Sequence, residues 1–209
     1  MKKTIVLLGA TGTLGKALSL ELSELGYHLI LVGRHHHKLE NLAAMVQGSP
    51  VLVPASLTTL VQIDELVVKL ATHYPPMDGL ISCLGHGSPL GPIDTVTEKE
   101  WAKTIHVNVT LNWKILQAFT LFMNQNARMV FPLEAHWLEP CAYASVYGFS
   151  KKMLFSLIEQ YNLDHAIHSI KAKIVSLPLA QSPLTRNMFP GLQETLTTPR
   201  ELAKTIVKQ

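Results

Sequence analysis

Apolar residues in this chain fall into two kinds of run that alternate, and the alternation predicts the architecture. Residues 4–8 (TIVLL) form a short continuous apolar run, the pattern of a strand buried on both faces. A glycine-rich turn over 9–15 follows. Residues 14–25 then place Leu14, Ala17, Leu18, Leu22 and Leu25 on one helical stripe that stops at Gly26. The same two patterns recur downstream. Strands are predicted over 28–32, 51–53, 79–83, 128–131 and 171–177, and helices over 38–46, 58–73, 147–165 and 199–207. A long helix pair is predicted over 97–124, opened by Thr97 with Glu100 three residues on, a capping box. Thr198 followed by Pro199 marks the start of the last helix. Residues 183–191 read as a flexible loop. Strand and helix alternate without repeat, low-complexity tract or linker, which predicts one α/β domain, residues 1–209, around a parallel sheet.

Composition narrows the picture. With 209 residues, 47% hydrophobic, the chain suits one sizeable core. The net charge is only +3 and the basic residues are scattered without interleaved aromatics, so no nucleic-acid partner is expected. Cys83 and Cys141 are too few for a disulfide framework and lack metal-ligand spacing, which predicts a reducing cytoplasm and no metal site. Lys2 and Lys3 before Ile5–Leu8 imitate the opening of a signal peptide, but the apolar run stops at Gly9. No stretch approaches the ~20 apolar residues of a membrane span, so the expectation is a soluble cytoplasmic protein.

Ligands of open parallel sheets bind beyond the carboxyl ends of the strands. After the first strand comes Gly9-Ala10-Thr11-Gly12-Thr13-Leu14-Gly15. Glycines at intervals of three permit a tight turn, close approach to a pyrophosphate and helix–strand packing, with the helix N-terminus facing the anion. After the second strand stand Arg34 and His35, where an NAD site would carry an acid; an arginine fork suits a 2′-phosphate, so NADP(H) is expected over NAD(H). His36 and His37 read as a solvated helix start. Tyr147 and Lys151, one turn apart on a helix, form a candidate acid–base pair. An ammonium beside a phenol is expected to lower its pKa from ~10.

These pieces together resemble the short-chain dehydrogenase/reductase family over nearly the whole chain. The matching residues are GATGTLG after the first strand, Arg34, SCLG after the fourth strand, Asn108 in WAKTIHVNV, YGFSK at 147–151 and SLP at the end of the sixth strand. The resemblance implies a Rossmann-type doubly wound parallel sheet of about six strands with helices on both faces. It also implies roles. Tyr147 would protonate the substrate oxygen as hydride leaves the nicotinamide. Lys151 would hold the nicotinamide ribose, and Asn108 would position a water in a relay reaching Lys151. Cys83, Leu84 and Gly85 would lie beside the adenosine ribose, Ala55 and Ser56 near the adenine, and Pro178, Leu179 and Ser182 against the nicotinamide.

One departure bears on chemistry. The family's serine, about thirteen residues before the tyrosine, donates to the developing oxyanion, and here that count lands on Glu134. An ionised glutamate is acceptor-only and opposes an alkoxide. It would substitute only as a neutral acid; His136 is the other candidate donor, and Ser145 stands too close to the tyrosine. Loss of one oxyanion donor typically costs ~10²–10³ in rate. The expected activity is NADP(H)-dependent interconversion of a small carbonyl compound and its alcohol. The alternative is a catalytically impaired NADP(H)-binding sensor or regulatory protein. The resemblance also implies a two-fold contact through the 97–124 and 147–165 helices, and the apolar residues Leu111, Trp113, Leu116, Phe119, Leu121 and Phe122 exceed one buried stripe, consistent with such a homodimer.

Overall fold

The structure, a computed structural model, describes residues 2–166, 169–192 and 196–208. Six strands, β1 (Thr4–Leu8), β2 (His28–Gly33), β3 (Val51–Pro54), β4 (Met77–Ser82), β5 (Met123–Glu134) and β6 (Lys171–Leu177), form a parallel sheet in the order β3-β2-β1-β4-β5-β6. Helices α1 (Thr13–Glu24), α2 (His36–Ala43), α3 (Leu60–His73), α4 (Glu98–Ile105), α5 (Leu111–Thr120), α6 (Ser145–Asp164), α7 (Pro183–Met188) and α8 (Pro199–Val207) complete the chain. This is the Rossmann-type arrangement expected. The chain winds outward in both directions from β1 and β4, so the switch point lies between them.

Period-two alternation along the strands divides the core. Val6, Leu8 and Ile30 face a cluster with Ile63 and Leu66 of α3, Phe119 of α5 and Leu154 of α6. Leu7, Leu29 and Leu31 face the other side, against Leu18 and Leu22 of α1, Leu39 of α2 and Leu202 of α8. Helix α8 is also fastened to α1 by charge: Arg200 Nε donates to Glu21 Oε1 at 2.7 Å and Nη2 lies 3.3 Å from Glu24 Oε2.

Several boundaries differ from expectation for local reasons. The long helix pair ends at Thr120, with a π-helical turn over His106–Thr110 inside it. Asn124 belongs to β5, where its Nδ2 donates to Asp78 Oδ1 at 2.9 Å. Strand β5 runs past Pro132 to Glu134, paired with β6 from Arg128↔Lys171 to Glu134↔Leu177. The segment read as a flexible loop contains α7, opened by Ser182, whose Oγ accepts from Thr185 N at 3.1 Å, and by a proline in its first turn. The capping box at α4 is half formed. Thr97 Oγ1 accepts from Glu100 N at 3.2 Å, but the Glu100 carboxylate turns to His86 instead. At α8 the box is complete, Thr198 with Glu201. Among the described residues no helix is long and apolar enough to cross a membrane.

Candidate active site

The glycine turn lies over the carboxyl ends of β1 and β2. Gly9, at φ +76°, turns the chain so that its own N–H and that of Ala10 donate to Val32 O at 3.1 and 3.0 Å. A Cβ at Gly15 would overlap Gly9 O and stand 2.8 Å from Ala10 Cα, so only glycine lets α1 start this close to the strand. Gly12 caps α1 with no side chain, and the first turn holds no acid. Among the described residues no side chain caps that turn, so its orphan N–H groups suit an anion such as a pyrophosphate. Thr11 packs against Gly33 at the end of β2. Arg34 and His35, next along, are exposed, and Arg34 has no side-chain partner among the described residues. Ala55 N donates to Gly33 O at 3.0 Å, which places Ala55 and half-buried Ser56 in the same row. His36 and His37 open α2, exposed as expected.

The other half of the site is built on β5 and α6. The register of β5 on β6 carries Glu134 to the strand end, level with Leu177. Tyr147, in the first turn of α6, is 1% exposed, and its hydroxyl donates to both Glu134 oxygens at 3.2 Å. Lys151 Nζ lies 3.7 Å from Glu134 Oε2 and 5.0 Å from the centre of the Tyr147 ring. The expected lowering of the tyrosine pKa is overturned. Burial, the Glu134 charge and the hydrogen bond to Glu134, in that order, raise it well above the ordinary phenol value. The lysine that was to draw the proton off faces the carboxylate, and the carboxylate holds the proton on. Cys83, at the end of β4, also stays protonated, its thiol pushed up to about 12 by desolvation.

Asn108 sits in the π-helical turn, 1% exposed. Its Nδ2 donates to His86 O and to Ser150 Oγ, each at 2.9 Å, and its Oδ1 accepts from His86 N at 2.7 Å. Both side-chain hydrogens are taken, so a water held between Asn108 and Lys151 would have to donate to an Asn108 oxygen. Asn108 also ties the loop after β4 to α6. His86 continues that loop, with Nε2 at 2.9 Å from Glu100 Oε1. His136 meets Cys141, its Nε2 3.4 Å from Cys141 Sγ. Ser145 is the first residue of α6, buried at φ +54°.

A cleft of about 280 Å³ joins the two halves. Of the residues singled out in the sequence, Thr13, Leu14, Cys83, Leu84, Gly85, Glu134, Tyr147, Lys151, Pro178 and Ser182 line it. Gly9, Thr11, Gly12, Gly15, Arg34, His35, Ala55, Ser56, Asn108 and Leu179 do not. Ser182 spends its hydroxyl on Thr185 as the cap of α7. Three contributors went unread. Leu184 of α7 and Leu202 of α8 wall the cleft, and no local pattern announces either. Trp137, 2% exposed, stands edge-on to Tyr147 at 5.3 Å and stacks on Phe189 at 5.9 Å. A Cβ at Gly148 would stand 2.6 Å from Ala144 Cβ and 3.2 Å from that indole, which is why glycine follows the tyrosine. An aromatic three residues beyond the strand-end acid was the available signal.

An open α/β sheet with a glycine-rich turn at its switch point and a buried tyrosine–lysine helix facing it defines a nucleotide-dependent dehydrogenase. The chain belongs to the short chain dehydrogenase family, whose pattern it matches over residues 3–193. By family it is an oxidoreductase acting on CH–OH or C=O groups. It is similar to an uncharacterized oxidoreductase of Staphylococcus epidermidis, 24% identical over 197 residues, covering 93% of this chain and 85% of that one. Among solved structures, a short chain dehydrogenase of Salmonella enterica serovar Typhi superposes with a TM-score of 0.87 at 21% identity, over 95% of this chain and 86% of that one. One from Shigella flexneri, in complex with NADP, does so at 0.85 and 18%, over 95% and 87%.

Proposed function

We propose that this protein is an NADP(H)-dependent oxidoreductase of small carbonyl compounds and their alcohols, with Tyr147 as the acid. One observation carries the reading: Tyr147, Lys151 and Glu134 meet in the cleft that Thr13 and Leu14 of the glycine turn also line. The turn from Gly9 to Gly15 and the free start of α1 hold a pyrophosphate, and Arg34 with His35 take a 2′-phosphate. Ala55 and Ser56 border the adenine, and Cys83, Leu84 and Gly85 the adenosine ribose. Lys151 binds the nicotinamide ribose; Pro178, Leu179 and Ser182 flank the nicotinamide. The bound cofactor supplies hydride. Tyr147 then donates its proton to the substrate oxygen, a task suited to a phenol that stays protonated.

The partner of the assembly is a second copy, docked on the α4–α6 face. Of the apolar residues noted in the sequence, Leu111, Leu116, Phe119 and Phe122 fill the core, while Trp113 and Leu121 are exposed, as are Trp101 and Phe149, stacked at 5.7 Å. NADPH fluorescence on titration, followed by NADPH consumption with a panel of small aldehydes and ketones, tests the function. Saturable binding plus turnover is expected. Binding with no turnover on any substrate would sink it.

A further inference from the structure

The charged group that Tyr147 Oη meets at the reacting end of the cleft has the wrong sign for a carbonyl. When a C=O accepts hydride its oxygen becomes an alkoxide, and Tyr147 Oη, the donor for that oxygen, already lies 3.2 Å from both carboxylate oxygens of Glu134. New negative charge therefore forms next to the Glu134 carboxylate; Lys151 Nζ, 3.7 Å from Glu134 Oε2, also lines the cleft and offsets part of that charge, and apolar groups such as Leu84, Leu133 and Leu184 form much of the remaining wall. A protonated imine has the opposite history. It enters as a cation and leaves the hydride step neutral. Its N–H⁺ is a donor, the one kind of group Glu134 is built to meet.

The carboxylate has capacity for it. The Tyr147 hydrogen is shared between two oxygens, and Lys151 at 3.7 Å is beyond hydrogen-bond length, so neither contact uses up the lone pairs. Glu134 is 19% exposed, toward the cleft it lines. Resting on the NADP(H) reading above, we propose a further activity: the cleft reduces small apolar imines, bound as iminium ions with N–H⁺ on Glu134, and prefers them to isosteric ketones. In the step a carbon–hydrogen bond forms at the iminium carbon with hydride from the reduced nicotinamide, which is oxidised. The C=N π pair moves onto nitrogen, giving a neutral amine. The proton on nitrogen comes from water before binding, and no alkoxide arises. Glu134 raises the bound fraction of the protonated imine, the electrophilic form, and Tyr147 holds the carboxylate in place from the other side.

The test uses methylpyrroline and cyclopentanone as a matched imine and ketone, and methylpyrrolidine as a non-reacting ammonium. In the wild type, kcat/KM for the imine exceeds that for the ketone by at least ~10-fold. Glu134→Ser lowers the imine value and raises the ketone value by ~10²-fold, the size of one oxyanion donor. Methylpyrrolidine raises the melting temperature of the NADP⁺-saturated wild type and leaves Glu134→Gln unchanged, although both bind NADPH. Ketone turnover faster than imine turnover, or equal imine rates in wild type and Glu134→Ser, overturns the proposal and leaves the oxidoreductase reading standing. Absence of NADPH binding overturns both.

Discussion

The two ends of the cleft are built on different principles. At the β1–α1 end the working groups are backbone: N–H donors of an uncapped helix start, held by glycines that leave no room for a Cβ. At the β5–α6 end they are three side chains, a phenol, a carboxylate and an ammonium, each nine-tenths or four-fifths withdrawn from solvent. The first end is fixed by space, since a Cβ at Gly9 or Gly15 would meet backbone. The second is governed by charge, which sets the proton on Tyr147. Geometry that comes from backbone is thus announced locally, and electrostatics that comes from tertiary neighbours is not.

Substitutions at each end test that contrast. Tyr147→Phe removes the proton donor, and turnover falls by ~10²–10⁴ while NADPH affinity holds; residual turnover near wild type, measured at saturating cofactor, contradicts its role as acid. Gly15→Val forces the turn away from α1, and overpacking of this kind costs about 1–3 kcal/mol. Urea denaturation should register that loss, and NADPH fluorescence should no longer saturate. Unchanged binding would mean the turn is not the anion site. Arg34→Asp, at the exposed rim, leaves stability alone and exchanges a charge-assisted contact for a repulsion. Selectivity for NADPH over NADH then drops by ~10-fold or more, the scale of one charged hydrogen bond, and equal stabilisation of the wild type by both cofactors would remove the arginine's role.

The smallest effect is one of pH. Tyr147 is held protonated well above the phenol value of 10.0 by burial and Glu134. Its acid role therefore survives through neutral and mildly alkaline pH. Alcohol oxidation, which needs the phenolate, rises only on the alkaline side. Glu134→Gln removes the charge that holds the proton, so the oxidation profile moves to lower pH; a profile identical to wild type would show that burial alone sets it.

Much of the frame was legible because buried parallel strands write continuous apolar runs: β1, TIVLL, spans the run at 4–8. The helix over 97–124 was overextended because Leu121, Phe122 and Met123 continue an apolar register across the turn between α5 and β5. The Ser182-Pro183 start of α7 was readable as a cap and a first-turn proline, but the glycine and prolines around it argued for loop. Glu100 satisfied a local capping rule in sequence and chose His86, fourteen residues away, in space. The tyrosine pKa failed for the same reason. Lys151 is one turn off and visible; the grip of Glu134 depends on a strand register that no single stretch encodes.

The bond from Arg200 to Glu21 spans 179 residues, and Pro199 and Leu202 of α8 wall the same cleft as Thr13 and Leu14 of α1. A nascent chain therefore completes the glycine turn early and cannot finish the pocket around it until α8 has been made. At ~5–20 residues per second that interval is roughly 9–36 s. During it Ala17, Leu18 and Leu22 lack the α8 part of their cover, an apolar stripe open to a chaperone before it is open to a cofactor.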